Sequence, residues 1–163
     1  MYTTTKISAV DVFCGVGGLT KGLINSGIDV VAGIDADPDC EFPFTKNNSS
    51  EFILRDVSAL SSEFVADLFP ENRLTLISGC APCQPFSRYG RGAPRRRSKW
   101  SLLQDFGRII EEVKPDYVTM ENVPEVVQHD VLTPFITGLK SVGYSVSSDV
   151  LFCPDYGLSL IHI

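Results

Sequence analysis

Short runs rich in β-branched residues alternate with amphipathic helical segments along almost the whole chain. The first run, ISAVDVF, leads into a glycine turn and a helical segment, and this pattern then repeats. Strands are predicted at 7–13, 28–35, 52–57, 74–79, 116–122 and 144–152, with helical segments at 19–26, 38–48, 61–69, 101–113 and 131–143. The alternation predicts one α/β domain with a mostly parallel sheet and helices on both faces.

Polar residues stand where the predicted strands end. They are the glycine turn after the first strand and, for the next four strands in order, Asp35, Asp56, Cys83 and Glu121. Open parallel sheets bind their ligands outside the carboxyl ends of the strands. The sequence therefore predicts one crevice that collects all of these groups.

The glycine turn FCGVGG indicates a ligand that approaches the backbone closely, because glycines between a strand and a helix leave N–H groups accessible. Asp35 lies twenty residues beyond Gly15, an offset that suits an acid bonding a ribose. Thr20 occupies the place of the third glycine in the dinucleotide-binding pattern. Close packing explains such a turn equally well. Together with Asp35 and Asp56, the turn favours an adenosine-containing ligand without a pyrophosphate.

The stretch SGCAPCQPFS allows a zinc half-site, a redox pair or a catalytic nucleophile. Structural zinc needs about four ligands, and the other cysteines and the two histidines offer no second close pair, so we expect no metal. A thioredoxin-like C-x-x-C also follows a strand, but it opens a helix directly, whereas Pro85 indicates a loop here. Cys80 continues the strand and suits a buried, inert thiol. Cys83 suits that description poorly, which favours it as the nucleophile.

Glu121 follows the apolar strand segment YVTM, where partial desolvation would raise its pKa and keep a proton available near neutral pH. The alternative is a capping carboxylate before Pro124. A nucleophilic thiol and a proton-donating acid at neighbouring strand ends would form a pair for covalent catalysis.

The charge distribution is uneven. The net charge is −6, yet the interval from Arg88 to Lys99 holds six basic residues and no acidic one. This run is either a solvated loop or a loop that contacts phosphates.

The N-terminus MYTTTK leads directly into a strand, without the apolar segment of a signal peptide, and no apolar run has the length of a membrane span. Five cysteines, an odd number, suit a reducing compartment. We therefore expect a cytoplasmic protein that does not contact a membrane.

The motifs, taken in order, resemble those of the DNA (cytosine-5) methyltransferases. DVFCGVGGLTKGL is similar to the family's first motif, GIDAD to the second, RDV to the third, APCQPFS to the fourth, SLLQDFGRII to the fifth and MENV to the sixth, and FCPDYG resembles the lead-in to the eighth. The family often has an aromatic residue where Ala36 stands. The similarity covers about Val10 to Gly157, and the pairing of PCQ-x-FS with ENV is its most specific part.

The resemblance implies a Rossmann-like S-adenosylmethionine-dependent methyltransferase fold and methyl transfer to carbon 5 of cytosine in a base flipped out of double-stranded DNA. Cys83 would be the nucleophile and Glu121 the acid. The implied cofactor-binding residues are Phe13, Gly15, Gly17, Gly18, Asp35, Asp56, Val57, Pro82 and Leu102. The implied nucleic-acid-binding residues are Gln84, Ser87, Arg88, Arg95, Arg96, Arg97 and Asn122.

Three further expectations follow from the resemblance. The catalytic domain would occupy 1–157, incomplete at its C-terminal end, and 158–163, LSLIHI, would be a tail that does not match the family. The family continues with a target-recognition domain, so we expect the 163-residue chain alone to be inactive or nearly so. A bacterial or phage origin and a cognate restriction endonuclease as genetic partner are also implied.

Two alternatives stay open at this point. A tRNA cytosine-5 methyltransferase shares the PCQ and ENV motifs, and methylation of tRNA rather than duplex DNA would identify it. A redox module using CAPC is more distant, and it would form a reversible disulfide between Cys80 and Cys83.

Overall fold

The computed structural model describes residues 6–82 and 101–157 of the chain. Five strands form one sheet: β1 Ile7–Val12, β2 Asp29–Asp35, β3 Glu51–Leu54, β4 Leu74–Gly79 and β5 Tyr117–Met120. The α-helices are α1 Gly18–Asn25, α2 Glu41–Asn47, α3 Ser62–Asp67, α4 Ser101–Val113 and α5 Leu132–Ser141. Short 3₁₀ helices lie at Pro38–Cys40, Val57–Ala59, Pro124–Gln128 and Cys153–Tyr156.

The sheet has the strand order β3-β2-β1-β4-β5, and every neighbouring pair is parallel. The chain leaves β1 toward β2 on one side and later returns to β4 on the other side. The order therefore reverses between β1 and β4, which is where parallel sheets of this kind open a crevice at their carboxyl ends.

Helices cover both faces of the sheet, as the alternation predicts. On one face Val10, Val12 and Ile77 pack with the apolar side of α4, which includes the fully buried Phe106 and Ile109. Val65 of α3 and Leu139 of α5 join the same cluster. On the other face, the smaller cluster of Ala9, Val30 and Leu76 packs against Leu23 and Ile24 of α1. The alternation of side chains along β1 assigns its neighbouring residues to these two cores.

The five predicted strands up to residue 122 are confirmed with small changes at their ends. The predicted helix over 38–48 is divided into the 3₁₀ turn Pro38–Cys40 and the helix α2. Pro134 lies in the first turn of α5, where its missing N–H leaves no helical hydrogen bond unmade.

The predicted strand over 144–152 is wrong. Tyr144 and Val146 alternate toward the core as a strand would, but within the described residues the segment pairs with no strand. The three consecutive apolar residues Val150, Leu151 and Phe152 are all well exposed. Alternating hydrophobicity indicates that one side of a segment is buried, but it does not show that the backbone pairs with another strand.

No helix in the described part of the chain is long and apolar enough to cross a membrane.

Candidate active site

The carboxyl ends of the strands bring most of the predicted site residues to one edge of the sheet. The glycine turn follows β1 directly, Asp35 is the last residue of β2, and Glu121 comes directly after β5. Cys80, Ala81 and Pro82 follow β4 and lead toward Cys83. Cys83 itself lies outside the described residues, as do Gln84, Ser87, Arg88, Arg95, Arg96 and Arg97. Their roles stay predictions.

The turn after β1 has the backbone conformation that glycine favours. Gly15 has φ 52° and Gly17 has φ 88°, and Phe13 between β1 and the turn also has a positive φ of 62°. The Gly17 N–H donates to the Cys14 carbonyl at 2.9 Å. Gly17 is the N-cap of α1, and it offers no side chain to bond the first N–H groups of the helix. These N–H groups lie at the crevice edge, as a site for a polar ligand requires.

The turn packs on two residues that the sequence did not indicate, Phe44 and Asn48. A Cβ atom on Gly17 would lie 2.2 Å from Asn48 Nδ2 and 2.8 Å from Phe44 Cδ2. A Cβ atom on Gly33 would lie 2.4 Å from Phe44 Cζ. Phe44 is fully buried. A glycine inside a strand, as in GIDAD, is the sequence signal for such a close approach.

Asp35 is half-buried, and its carboxylate bonds the backbone of the glycine turn and of the segment after β2. One carboxylate oxygen accepts the Gly15 N–H and the other accepts the Asp37 N–H, each at 2.9 Å. Each carboxylate oxygen can accept a second hydrogen bond. Asp35 therefore ties the end of β2 to the glycine turn and keeps acceptor capacity for ligand hydroxyl groups.

The other predicted cofactor residues have varied surroundings. Asp56 is exposed, and its Oδ1 accepts the Ser58 N–H at 3.0 Å and the Ser58 hydroxyl at 2.7 Å. The Val57 side chain is buried in the core, so only its backbone could meet a ligand. Phe13 is half-buried and packs edge-on against Phe106, with ring centroids 6.1 Å apart.

Gly18 begins α1 and is exposed, Leu102 is half-buried in the first turn of α4, and Pro82 is exposed beyond β4.

The ends of β4 and β5 are joined by hydrogen bonds. The Glu121 N–H donates to the Gly79 carbonyl at 3.0 Å, and Asn122 Nδ2 donates to the Ala81 carbonyl at 3.0 Å. The Val123 N–H in turn donates to Asn122 Oδ1 at 2.9 Å. Both the nitrogen and the oxygen of the Asn122 amide are thus engaged in hydrogen bonds to the backbone nearby. The arrangement holds Glu121 beside the segment that leads to Cys83.

Two expectations about burial are wrong. Cys80 is exposed, although the next residue, Ala81, is buried. Glu121 is also exposed, so the apolar strand before it does not desolvate it.

The Cys80 thiol has a raised pKa. Partial desolvation at the strand end is the main cause, and the negative charges of Glu121 and Asp11 add to it. A thiol with a raised pKa carries little thiolate at neutral pH and is a poor nucleophile. Cys80 is therefore ill suited to covalent catalysis.

Asp11 is a further polar residue that the sequence reasoning missed. It lies within β1 and is only 1% exposed. Its Oδ2 accepts the Thr20 hydroxyl at 2.6 Å, and its Oδ1 accepts the Ser78 hydroxyl at 3.1 Å. Burial raises the pKa of Asp11, the hydrogen bonds from Thr20 and Ser78 oppose that rise, and the charge of Glu121 adds to it. An acid inside an otherwise apolar strand is the signal that could have indicated it.

A groove of about 660 Å³ lies between α4 and the segment from Gln128 to Phe135. Leu103, Gly107, Val131 and Phe135 line it, and none of the strand-end residues does. Among the described residues, no three His, Cys, Asp or Glu side chains are grouped to hold a metal ion.

The fold and the crevice define a class. A parallel sheet of order β3-β2-β1-β4-β5, with a glycine turn after β1 and an acid at the end of β2, is the Rossmann-like arrangement of the S-adenosylmethionine-dependent methyltransferases. Residues 7–159 match the family model of the C-5 cytosine-specific DNA methylases. The chain belongs to the C-5 cytosine-specific DNA methylase family.

Curated relatives are bacterial type II enzymes. The type II methylase M.HgiDII of Herpetosiphon aurantiacus is 46% identical over 154 residues, which cover 93% of this chain and 43% of the relative. The type II methyltransferase M.XorII of Xanthomonas oryzae pv. oryzae is 32% identical over 163 aligned residues, covering 94% of this chain and 38% of the relative. The chain thus spans less than half the length of either relative.

Solved structures agree on the fold. A protein encoded within a prophage of E. coli and assigned as a DNA modification methyltransferase is 26% identical, with a TM-score of 0.67 over 85% of this chain and 38% of that one. A DNMT2 variant of Spodoptera frugiperda is 23% identical, with a TM-score of 0.67 over 84% of this chain and 41% of that one.

Proposed function

We propose that this chain carries the cofactor-binding and catalytic part of an enzyme that transfers a methyl group from S-adenosylmethionine to carbon 5 of cytosine in DNA. The observation that carries the proposal is the junction of β4 and β5. Hydrogen bonds to the Gly79 and Ala81 carbonyls hold Glu121 and Asn122 against the segment that leads to Cys83. Family membership and the type II relatives support the same reaction.

The crevice suits S-adenosylmethionine in three respects. The N-cap residue of α1 is Gly17, which has no side chain to bond the first N–H groups of the helix and so leaves them for a carboxylate. Asp35 stands at the turn with acceptor capacity for ribose hydroxyls. Gly17 and Gly33 leave no room for side chains and so keep the turn close to Phe44. When bound, the cofactor would supply an electrophilic methyl group for carbon 5 of the base, with the neutral thioether S-adenosylhomocysteine as the leaving group.

The nucleophile is needed because carbon 5 of cytosine reacts poorly with a methyl donor. Addition of the Cys83 thiolate to carbon 6 would make carbon 5 electron-rich, as in an enamine. A free cysteine has a pKa of about 8.5, so the site must favour the thiolate or remove the proton during attack.

The acid would act on the same ring. Glu121 would donate a hydrogen bond or a proton to the ring nitrogen and so stabilise the electron-rich adduct. Once carbon 5 carries the methyl group, loss of its proton to a base or to water would expel Cys83 as a thiolate and restore the aromatic ring. The base must leave the DNA stack for this chemistry, at a cost of roughly a few kcal/mol.

Asn122 fits this scheme as a residue that places the loop. Its amide bonds the Ala81 carbonyl and the Val123 N–H. A contact to nucleic acid from Asn122 stays a prediction, and so does the division of the chain at residue 157. A cognate restriction endonuclease and a cytoplasmic, bacterial or phage-encoded setting belong to the same proposal, because relatives of the chain are type II enzymes.

The redox alternative has less support than the methyltransferase. A Cys80–Cys83 exchange pair needs an accessible thiolate, whereas the pKa of the exposed Cys80 is raised.

Asp35 provides a test of the cofactor site. We expect Asp35→Ala to weaken S-adenosylmethionine binding by about 1.5–3 kcal/mol, the contribution of hydrogen bonds to a charged acceptor. Calorimetric titration measures the affinity directly. Asp39→Ala removes an exposed carboxylate from the same loop and is the matched control, for which we expect almost no change. Equal affinities of the two variants would mean that Asp35 has only a structural role.

The arginine run provides a test of DNA binding. Replacing Arg95, Arg96 and Arg97 with Ala should flatten the plot of log binding constant against log salt by about 0.9 for each phosphate that these arginines neutralise. Replacing the exposed Lys6, Lys46 and Lys140 with Ala changes the net charge equally and serves as the control. Fluorescence titration of duplex DNA at several salt concentrations gives both slopes. If the two triple variants have the same slope, the arginine run is a solvated loop.

A further inference from the structure

Asp11 is a buried carboxylate that the proposed chemistry does not use. It lies in the central strand of the sheet and is 1% exposed. Burying a carboxylate is costly unless hydrogen bonds compensate for the lost hydration. An apolar residue would fill the same place in the strand without that cost. The position of the carboxylate therefore needs an explanation in terms of what it connects.

Asp11 joins the two parts of the candidate site. Through Oδ2 it accepts the hydroxyl of Thr20, a fully buried residue in the first turn of α1, directly after the glycine turn. Through Oδ1 it accepts the hydroxyl of Ser78, which lies opposite Asp11 in the parallel register of β1 and β4. Ser78 is also fully buried and precedes Gly79, whose carbonyl accepts the Glu121 N–H.

The charge of Asp11 also acts on both parts. It contributes to the raised pKa of Cys14 in the glycine turn and to the raised pKa of Cys80 beyond β4. Glu121 is in turn close enough to influence Asp11. Among the described residues, Asp11 is the buried acid that lies within reach of the turn, of the end of β4 and of the end of β5.

We propose that Asp11 is a positioning residue that fixes the cofactor-binding turn relative to the end of β4, after which the chain continues toward Cys83. The carboxylate bonds Thr20 of α1 and Ser78 of β4 at the same time. It therefore keeps the distance between the glycine turn and the end of β4 constant. The proposal rests on the proposed function for what the two ends bind.

Thr20 allows a test that separates positioning from stability. Thr20→Val keeps the shape and removes the hydroxyl, whereas Thr20→Ser keeps the hydroxyl and removes a buried methyl group. We expect Thr20→Val to weaken S-adenosylmethionine binding by about tenfold, the effect of one hydrogen bond to a charged acceptor, and Thr20→Ser to bind like the unaltered chain. Asp11→Asn should lose at least as much, and Thr20→Val should cost less in the Asp11→Asn background than in the unaltered chain, since the two changes act on the same contact.

Hydrogen exchange tests the link without any ligand. The Gly17 amide reports on the turn, the Glu121 amide on the β4 end, and the Leu74 amide, bonded to the Lys6 carbonyl, on the opposite end of the sheet. In Asp11→Asn we expect exchange about tenfold faster at Gly17 and Glu121 and unchanged at Leu74. In Ser78→Ala we expect the faster exchange at Glu121 only.

The outcomes are distinct. The positioning role is overturned if Thr20→Val and Thr20→Ser bind equally well, or if Asp11→Asn accelerates exchange at all three amides alike. A chain that is folded but binds no S-adenosylmethionine contradicts the proposed function instead, and the exchange at Gly17 and Glu121 then decides the role of Asp11 alone.

Discussion

We expect Cys83→Ser to abolish the proposed methyl transfer in the protein that carries this chain, with a rate at least about a thousandfold lower. A hydroxyl is far less acidic than a thiol, so the serine oxygen does not add to carbon 6 at neutral pH. We expect Cys80→Ser to retain most of the rate, because the raised pKa of the Cys80 thiol makes it a poor nucleophile. Single-turnover transfer of a tritiated methyl group to cytosine-containing DNA measures both rates.

The pair of variants also separates the two interpretations of CAPC. A redox pair needs both sulfur atoms, so Cys80→Ser and Cys83→Ser would then be equally damaging, and no methyl transfer would be seen in the unaltered protein. If only Cys83→Ser loses activity, the result supports Cys83 as the nucleophile. Full activity of Cys83→Ser would contradict the proposed chemistry.

We expect Gly17→Ala to destabilise the chain and to remove cofactor binding. The left-handed backbone at φ 88° costs a residue with a Cβ atom about 1–2 kcal/mol. The new Cβ atom would also lie 2.2 Å from Asn48 Nδ2 and 2.8 Å from Phe44 Cδ2, and overpacking of this kind costs about 1–3 kcal/mol. The free energy of unfolding should therefore fall by at least about 2 kcal/mol, with the turn displaced.

Gly22→Ala is the matched control for this prediction. Gly22 lies in α1 and is exposed, and a Cβ atom there would have no atom within 4 Å outside its own stretch of helix backbone. Alanine in a helix is favoured over glycine, so we expect this variant to gain about 0.5–1 kcal/mol. Urea unfolding and calorimetric titration of the two variants give the comparison. Equal stability of Gly17→Ala and the unaltered chain would mean that the turn tolerates a side chain.

The fold was predictable because its strands are buried between helices and so are read as apolar runs of a few residues. The runs ISAV and LTLI illustrate this, since each is part of a strand of the observed sheet. The segment after Gly143 was not predictable in the same way. Its alternation describes the packing of Tyr144 and Val146, while pairing depends on a neighbouring strand that local sequence does not specify.

The candidate site was predictable for residues that directly follow or end a strand, because parallel sheets bind ligands at the carboxyl ends of their strands. Asp35 and Glu121 stand at the crevice edge for that reason. Phe44, Asn48 and Asp11 were not predicted, because their importance comes from contacts over long sequence separations. The hydroxyl of Ser78, for example, reaches Asp11 across 67 residues.

Burial at strand ends was the least predictable feature. Cys80 and Glu121 both follow apolar strands, yet both are exposed, whereas Ala81, the residue after Cys80, is buried. Exposure beyond a strand end thus differs between adjacent residues, and the apolar run that precedes them does not specify it.

The most direct test of the central proposal is the trapping of a covalent complex with duplex DNA that contains 5-fluorocytosine. Fluorine cannot leave carbon 5 as a proton does, so an adduct formed during methyl transfer should persist and survive denaturation. The proposal predicts a complex that requires S-adenosylmethionine, forms on duplex DNA and is mapped by peptide mass spectrometry to Cys83. A complex that forms only on tRNA carrying the same base, or one that persists in Cys83→Ser, would contradict it.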